Sequence, residues 1–268
     1  MPTFSHDQAE LFYEERGRGE PLLLLHGLGS STLDWAPQLE AFAPHYRVIA
    51  VDARGSGRSR DLRNAAGPFS VKQFAADDAA LLRHLGATPA HVVGLSMGGM
   101  IAFQLAVDFP DLVRTLTIVN SGPALVPKTT DERFAIGVRR LLTSLLGPAG
   151  MGKILAPKLF PKPADEALRQ QFMERMAGND KAAYKAGLNA IIGWSVLDRI
   201  SAIEAPTLIV HAEHDYTALP VKEAYAARMK HARVVTVADA RHALPMEEPE
   251  KFNRVILQFL ADPGSGGV

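Results

Sequence analysis

The chain of 268 residues contains no cysteine. That absence excludes disulfides, a thiolate nucleophile and any zinc site built on sulfur, so catalysis would have to rest on other side chains. An excess of charge is also missing, because 29 lysines and arginines balance 29 aspartates and glutamates. A chain with no net field is a poor partner for nucleic acid or an anionic membrane, and a small, weakly charged substrate is the expectation. No apolar run approaches the roughly 18 residues of a membrane span. Residues 1–12 are polar and lack the apolar stretch of a secretory signal, so a cytoplasmic protein is expected. The length suits one α/β domain carrying an inserted subdomain.

What is present is a regular alternation. Residues 9–15, 21–25, 46–51, 91–95 and 113–119 read as strands, and residues 33–42, 74–85 and 100–109 carry apolar side chains at helical spacing. The run at 21–25 is continuously apolar, as a strand covered on both faces would be. Alternating strands and helices predict an α/β fold with a mostly parallel central sheet flanked by helices. The alternation stops after Asn120-Ser121-Gly122-Pro123. Amphipathic stretches at 132–146, 165–176 and 181–197 follow, with breaks at Gly147-Pro148 and across 157–163, and predict a helical cap insertion over the strand ends. Strands resume at 206–211 and 233–237, and a final helix spans 249–260. The expected division is a core at 1–122 and 201–262, a cap at 123–200 and a flexible tail at 263–268.

The chain is organised around Gly94-Leu95-Ser96-Met97-Gly98-Gly99, which joins an apolar strand to a helix through a very short turn. This is the context of a nucleophile elbow. Ser96 would sit at the tip in a strained conformation, and glycines two residues to either side would leave room for the folded backbone. A serine hydroxyl needs a base, and the base needs a group that fixes its tautomer. Of the nine histidines, His242 lies in the loop after the strand at 233–237, at the carboxyl end of the sheet where ligands bind. Asp215 follows the strand at 206–211 and is the expected acid, with Glu213 the runner-up. The loop after Val119 offers only Asn120 and Ser121. The order serine, aspartate, histidine is that of a nucleophile-elbow hydrolase.

Two backbone amides complete the expected site. The turn aims the Met97 N–H at the reacting oxygen, and His26-Gly27-Leu28-Gly29, after the strand at 21–25, lets the Leu28 N–H face the same point. His26 itself is expected to pin this loop. The glycine-rich run at 52–59 has neither the lysine of a P-loop nor dinucleotide-binding spacing, and reads as a structural turn. His211 and His214 lack a third ligand, so neither a metal nor any other cofactor is expected. Trp35, Tyr184 and Trp194 are candidates to line an apolar substrate pocket, with the Met97 side chain a further one. Arg133, Arg139 and Arg140 read as a solvated face of the insertion; one turned inward would favour a carboxylate-bearing substrate.

Taken together, His26-Gly27-Leu28-Gly29, residues 52–59, the elbow, Asp215 followed by Pro220, and His242 followed by Glu247, Pro249 and Phe252 make the chain resemble the α/β-hydrolase family over nearly its whole length. The resemblance implies Ser96 as nucleophile, His242 as base, Asp215 as acid, the Leu28 and Met97 amides as oxyanion hole, and no cofactor. A serine at the elbow points to acyl chemistry on a small-molecule ester or lactone. Methionine after that serine is similar to 3-oxoadipate enol-lactonases and related esterases. Perhydrolase or haloperoxidase activity, carbon–carbon bond hydrolysis and slow-turnover ligand sensing remain alternatives on the same triad, because substrate choice lives in the insertion.

Overall fold

The computed structural model describes residues 2–63 and 68–264. It begins with a hairpin of β1 (Thr3–His6) and β2 (Ala9–Arg16). Its connection is Asp7-Gln8, both at positive φ (41° and 57°), the two-residue turn whose twist matches paired strands. β3 (Pro21–Leu25) leads through a 3-10 turn at Thr32–Trp35 into α1 (Ala36–Phe42), followed by β4 (Arg47–Val51) and the short β5 (Arg60–Asp61). α2 (Val71–His84) starts where the Ser70 hydroxyl accepts from the Gln73 amide, and stops before Gly86 at φ 58°. β6 (Ala90–Leu95), α3 (Met97–Asp108) and β7 (Val113–Val119) continue the alternation.

Between β7 and β8 (Thr207–Ala212) lie α4 (Thr130–Leu159), α5 (Glu166–Ala177) and α6 (Lys181–Ile191). Thr129 and Glu132 form a capping box that starts α4, and Gly147 (φ 64°, ψ −174°) kinks it. The expected break at Gly147-Pro148 is therefore a bend. The expected break from residue 157 is displaced, because α4 runs through Pro157 to Leu159. After β8 come α7 (Leu219–Ala226), β9 (Ala232–Val237), α8 (Leu244–Glu247) and α9 (Pro249–Ala261). Of the expected tail, residues 265–268 lie outside the described residues.

The sheet order is β1-β2-β4-β3-β6-β7-β8-β9, with β5 beside β2. From β4 to β9 every pairing is parallel, while β1 and β2 are antiparallel. Both faces are covered, which is why Leu22, Leu23, Leu24 and Leu25 are all buried. Leu23 and Leu25 join α2 and α3 through Phe74, Leu81, Ile101 and Phe103, whereas Leu22 and Leu24 point to the α1 and α9 face with Phe42, Phe252 and Phe259. A third cluster, including Phe160, Phe172, Met176 and Tyr184, ties the α4–α6 region to Ala243 and Met246.

Chain direction across the sheet reverses at β3: β4 lies on one side of it and β6 on the other. Such a switch point opens a crevice at the carboxyl ends of the two strands. Leu25 is in register with Gly94, so the loop after β3 and the elbow after β6 leave the sheet side by side. Leu95 pairs with Val119, Val119 with Val210 and Ala212 with Val237, so the next three loops emerge along the same edge.

Candidate active site

Ser96 occupies the tip between β6 and α3 with φ 55° and ψ −114°. A serine holds this conformation only when its surroundings impose it. Here the Ser96 amide donates to Val119 O (3.0 Å) and its carbonyl accepts from Ser121 Oγ (2.6 Å). A Cβ on Gly98 would strike the Leu25 carbonyl, and one on Gly94 would strike the Gly98 backbone, so the turn requires glycine at both positions. As the first residue of α3, Met97 has an amide with no intrahelical acceptor, at the positive end of the helix dipole. The Met97 side chain is buried in the core.

The loop after β3 approaches from the neighbouring strand. An ideal Cβ on Gly27 would lie 3.5 Å from Ser96 Cβ, and the Leu28 amide has no hydrogen bond among the described residues. His26 pins this loop from beneath. Its Nε2 accepts from the Ala53 amide (2.9 Å), which leaves the Nδ1 proton to be donated to Gly27 O (2.7 Å). Residues 52–59 form a braced turn: Asp52 accepts from the amides of Thr32 (2.6 Å) and Arg58 (2.8 Å), and Ser59 Oγ donates to Asp52 O (2.6 Å).

His242 and Asp215 meet, with His242 Nδ1 2.6 Å from Asp215 Oδ1. The bond fixes the ring with Nδ1 protonated and Nε2 free to act as a base. Asp215 is almost wholly buried, and its second oxygen accepts from Lys222 Nζ (2.7 Å). Burial pushes the Asp215 carboxyl up, but His242 and Lys222 outweigh it and hold it well below the usual carboxylate range. Glu213, the runner-up, instead accepts from the Asp239 amide (2.8 Å) and has no contact with His242. No hydrogen bond joins the Ser96 hydroxyl to His242 among the described residues, a separation that unliganded sites often show.

Three participants were not foreseen. Lys222, on α7, is 0% exposed and also contacts Asn120 Oδ1 (3.2 Å) and His211 Nδ1 (3.0 Å), so His211 is engaged as an acceptor. Asn120, at φ 46°, donates through Nδ2 to the carbonyls of Arg241 (3.1 Å) and His242 (3.0 Å), and its Oδ1 accepts from the Ala212 amide (2.9 Å). Asn120 and Ser121 thus clamp the His242 loop and the Ser96 carbonyl from one dipeptide. Tyr216 stacks on the His242 ring, centroids 4.4 Å apart. An asparagine after a strand, where a left-handed residue is needed, was the one legible sign among these.

Two expected lining residues lie elsewhere. Trp35 is 0% exposed and packs against Phe252 in the core on the α9 face, because the 3-10 turn that it ends faces α9 and not the crevice. Trp194 is tied through Nε1 to Gln104 Oε1 (2.7 Å) on α3, about two turns beyond Ser96, where it anchors the end of the inserted region. The Tyr184 ring is buried and packs on Gly29, next in sequence to Leu28. A cleft of about 530 Å³ opens beside this loop, between Ser30, Ser31, Arg58, Arg175 near the end of α5 and Asn179 just beyond it, not over Ser96 itself. Among the described residues no helix is long and apolar enough to cross a membrane.

The sequence profile of the α/β hydrolase fold matches residues 20–249. A protein of Azorhizobium caulinodans that carries the provisional name carbamate hydrolase RutD is 32% identical, over 98% of this chain and 99% of its own. Among solved structures, the enol-lactonase of Burkholderia xenovorans superposes with a TM-score of 0.88 at 25% identity, covering 97% of this chain and 100% of its own. A thermophilic esterase of Thermogutta terrifontis does so with 0.83 at 27% identity, covering 96% and 95%. With the profile spanning most of the chain and the strand order placing an elbow at the switch point, the protein belongs to the α/β-hydrolase family and is a hydrolase.

Proposed function

We propose that this hydrolase cleaves small carboxylic esters or lactones through an acyl-enzyme. Ser96 Oγ attacks the carbonyl carbon while His242 Nε2 takes its proton. The tetrahedral oxyanion is held by the Leu28 and Met97 amides, and the proton returns from Nε2 to the leaving alkoxide oxygen. Water, deprotonated by the same nitrogen, then releases the acid. The observation that carries this reading is the 2.6 Å His242–Asp215 bond, formed by loops of neighbouring strands on the edge that presents Ser96. Each well-aimed oxyanion donor is worth about 3 kcal/mol of barrier. Both amides here lack an acceptor inside their own element.

The test is turnover of p-nitrophenyl acetate, p-nitrophenyl butyrate and an enol-lactone, with Ser96→Ala and fluorophosphonate labelling as controls. Ester or lactone turnover that falls by about 10⁶-fold in Ser96→Ala, with the label on Ser96, supports the reading. Failure of the wild-type protein on all three substrates defeats it. A second reading, carbamate cleavage by the same residues, is favoured by the name of the 32% identical relative. A preference for p-nitrophenyl carbamate over the acetate would select it.

A further inference from the structure

The loop after β3 is a turn closed by the Ser30 amide, which donates to Gly27 O (3.2 Å), with Gly29 at φ 79° in the position that needs a left-handed residue. Peptide planarity links the groups of this turn in series, because in a trans peptide the C=O and N–H point opposite ways. Gly27 O is held by the Ser30 amide and by His26 Nδ1 (2.7 Å), so the Leu28 N–H of the same peptide is turned to the other side. The Ser30 N–H belongs in turn to the peptide whose carbonyl is Gly29 O. A bond to Gly29 O therefore acts, through two rigid planes, on where the Leu28 N–H points.

That bond comes from the inserted region. Asn179, half-buried just beyond α5, donates through Nδ2 to Gly29 O (2.9 Å) and to the carbonyls of Arg175 (2.9 Å) and Met176 (3.4 Å). All three partners are carbonyls, so the donor end of the side-chain amide faces them. The bonds to Arg175 and Met176 fix Asn179 on the last turn of α5, whose carbonyls lack helical partners. Capping needs only those two; the bond to Gly29, 150 residues earlier in the chain, adds nothing to it. Arg175, from the same turn, pairs with the buried Asp34, which accepts from Ser30 Oγ. Met176 and Tyr184 close over Gly29, where a Cβ would collide with Met176 Sδ and Tyr184 Cε2. The Gly29–Ser30 peptide is thus gripped from the inserted region by a hydrogen bond, an ion pair and packing.

We infer that Asn179 is a positioning residue for the reaction: by holding Gly29 O it aims the Leu28 amide at the oxyanion. It touches no reacting atom and acts only through the turn. The role rests on the proposed oxyanion hole, but not on the choice among ester, lactone and carbamate, since each passes through a tetrahedral oxyanion at the same point. Removing one oxyanion donor outright costs about 10²–10³ in kcat, so a donor that is kept but misaimed costs less.

The experiment compares wild type with Asn179→Leu, close in volume but without a donor, and Asn179→Gln, which keeps one. Three readouts are taken: kcat and KM on p-nitrophenyl butyrate, affinity for an alkyl trifluoromethyl ketone, and the rate at which a fluorophosphonate labels Ser96. Ser96 Oγ adds to the ketone carbon, its proton passes to His242, and the carbonyl electron pair moves onto the oxygen that the two amides hold. Asn179→Leu is expected to lower kcat about tenfold to thirtyfold with KM within about twofold, and to weaken ketone binding and slow labelling by a similar factor. Asn179→Gln should bring each back to within about threefold of wild type. A residue that merely caps α5 would lower the melting temperature and leave all three readouts alone; that result, or a change in KM alone, would overturn the positioning role. A wild type inert toward every ester and lactone tried, with Ser96 still labelled about tenfold more slowly in Asn179→Leu, would sustain the role and remove the proposed ester or lactone chemistry.

Discussion

Replacing Lys222 by methionine removes a cation from the interior while roughly preserving volume, and its effect follows from three contacts. Lys222 Nζ bonds to Asp215 Oδ2, Asn120 Oδ1 and His211 Nδ1 at 2.7, 3.2 and 3.0 Å. Without it, Asn120 Oδ1 keeps the Ala212 amide, but His211 Nδ1 is orphaned and Asp215 Oδ2 retains only the Thr217 amide at 3.3 Å. Breaking a buried ion pair from one side costs about 3–5 kcal/mol, and the orphaned histidine nitrogen adds about 1. Relief of the burial penalty on the ammonium, which itself holds Lys222 below its usual pKa, offsets part of this. A net loss of about 3 kcal/mol, or about 6–12 °C in melting temperature, is expected by calorimetry at pH 7.

The pH dependence of that loss is fixed in sign. The carboxyl of Asp215 titrates below its ordinary value in the folded protein, so its contribution to stability is present above the unfolded value of about 3.9 and is lost as pH falls through the folded one. The gap between wild type and Lys222→Met should therefore hold from pH 8 to about 5 and close at lower pH. In an Asp215→Asn background the lysine has no anion to pair with, and Lys222→Met should be neutral or stabilising. A loss under about 1 kcal/mol in the single variant, or the same loss in both backgrounds, would refute the argument.

Two further outcomes are expected. Ser96→Gly relieves a backbone conformation that costs serine about 1–3 kcal/mol, so it should raise the unfolding free energy by about 1 kcal/mol in urea titration while abolishing turnover; a fall in stability would contradict the strain. Asn120→Ala deletes both bonds that Asn120 makes to the His242 loop, and kcat on p-nitrophenyl butyrate should fall about 10–100-fold with KM little changed, whereas an unaltered kcat would show that the other contacts of the loop, such as those of Arg241 to Glu247, suffice to position it.

Much of the site is legible in the sequence because its requirements are local or topological. A Cβ at residue 98 has no room beside Leu25, so glycine there announces the turn. His242 and Asp215 follow strands whose parallel order already sets them on one edge. What escaped detection depends on three-dimensional facts with no local mark. Nothing in Val221-Lys222-Glu223 distinguishes a lysine sealed in the interior from the solvated ones around it. Trp35 lies only a few residues beyond the loop after β3, yet the 3-10 turn that it ends carries it into the core on the α9 face. The β1–β2 turn has no glycine, since Asp7 and Gln8 accept left-handed conformations under the constraint of the hairpin. Pro157 lies in the last turn of α4, where the missing amide donor costs a single helical bond, so the helix runs on to Leu159.

The region between β7 and β8 leaves and re-enters the core through a narrow neck: Ala124 and Ser195 form an antiparallel bridge, and the Val196 amide donates to Pro123 O at 2.9 Å. Since this neck is closed by main-chain bonds that any sequence can make, the seventy or so residues it gathers behave as an exchangeable cassette. Its contents can diverge or lengthen without disturbing the register of the strands beneath, provided the contacts to Gln104, Ala243 and Met246 are kept. Selection for a new substrate can therefore act on α4 to α6 while Ser96, Asp215 and His242, all outside the cassette, stay as they are.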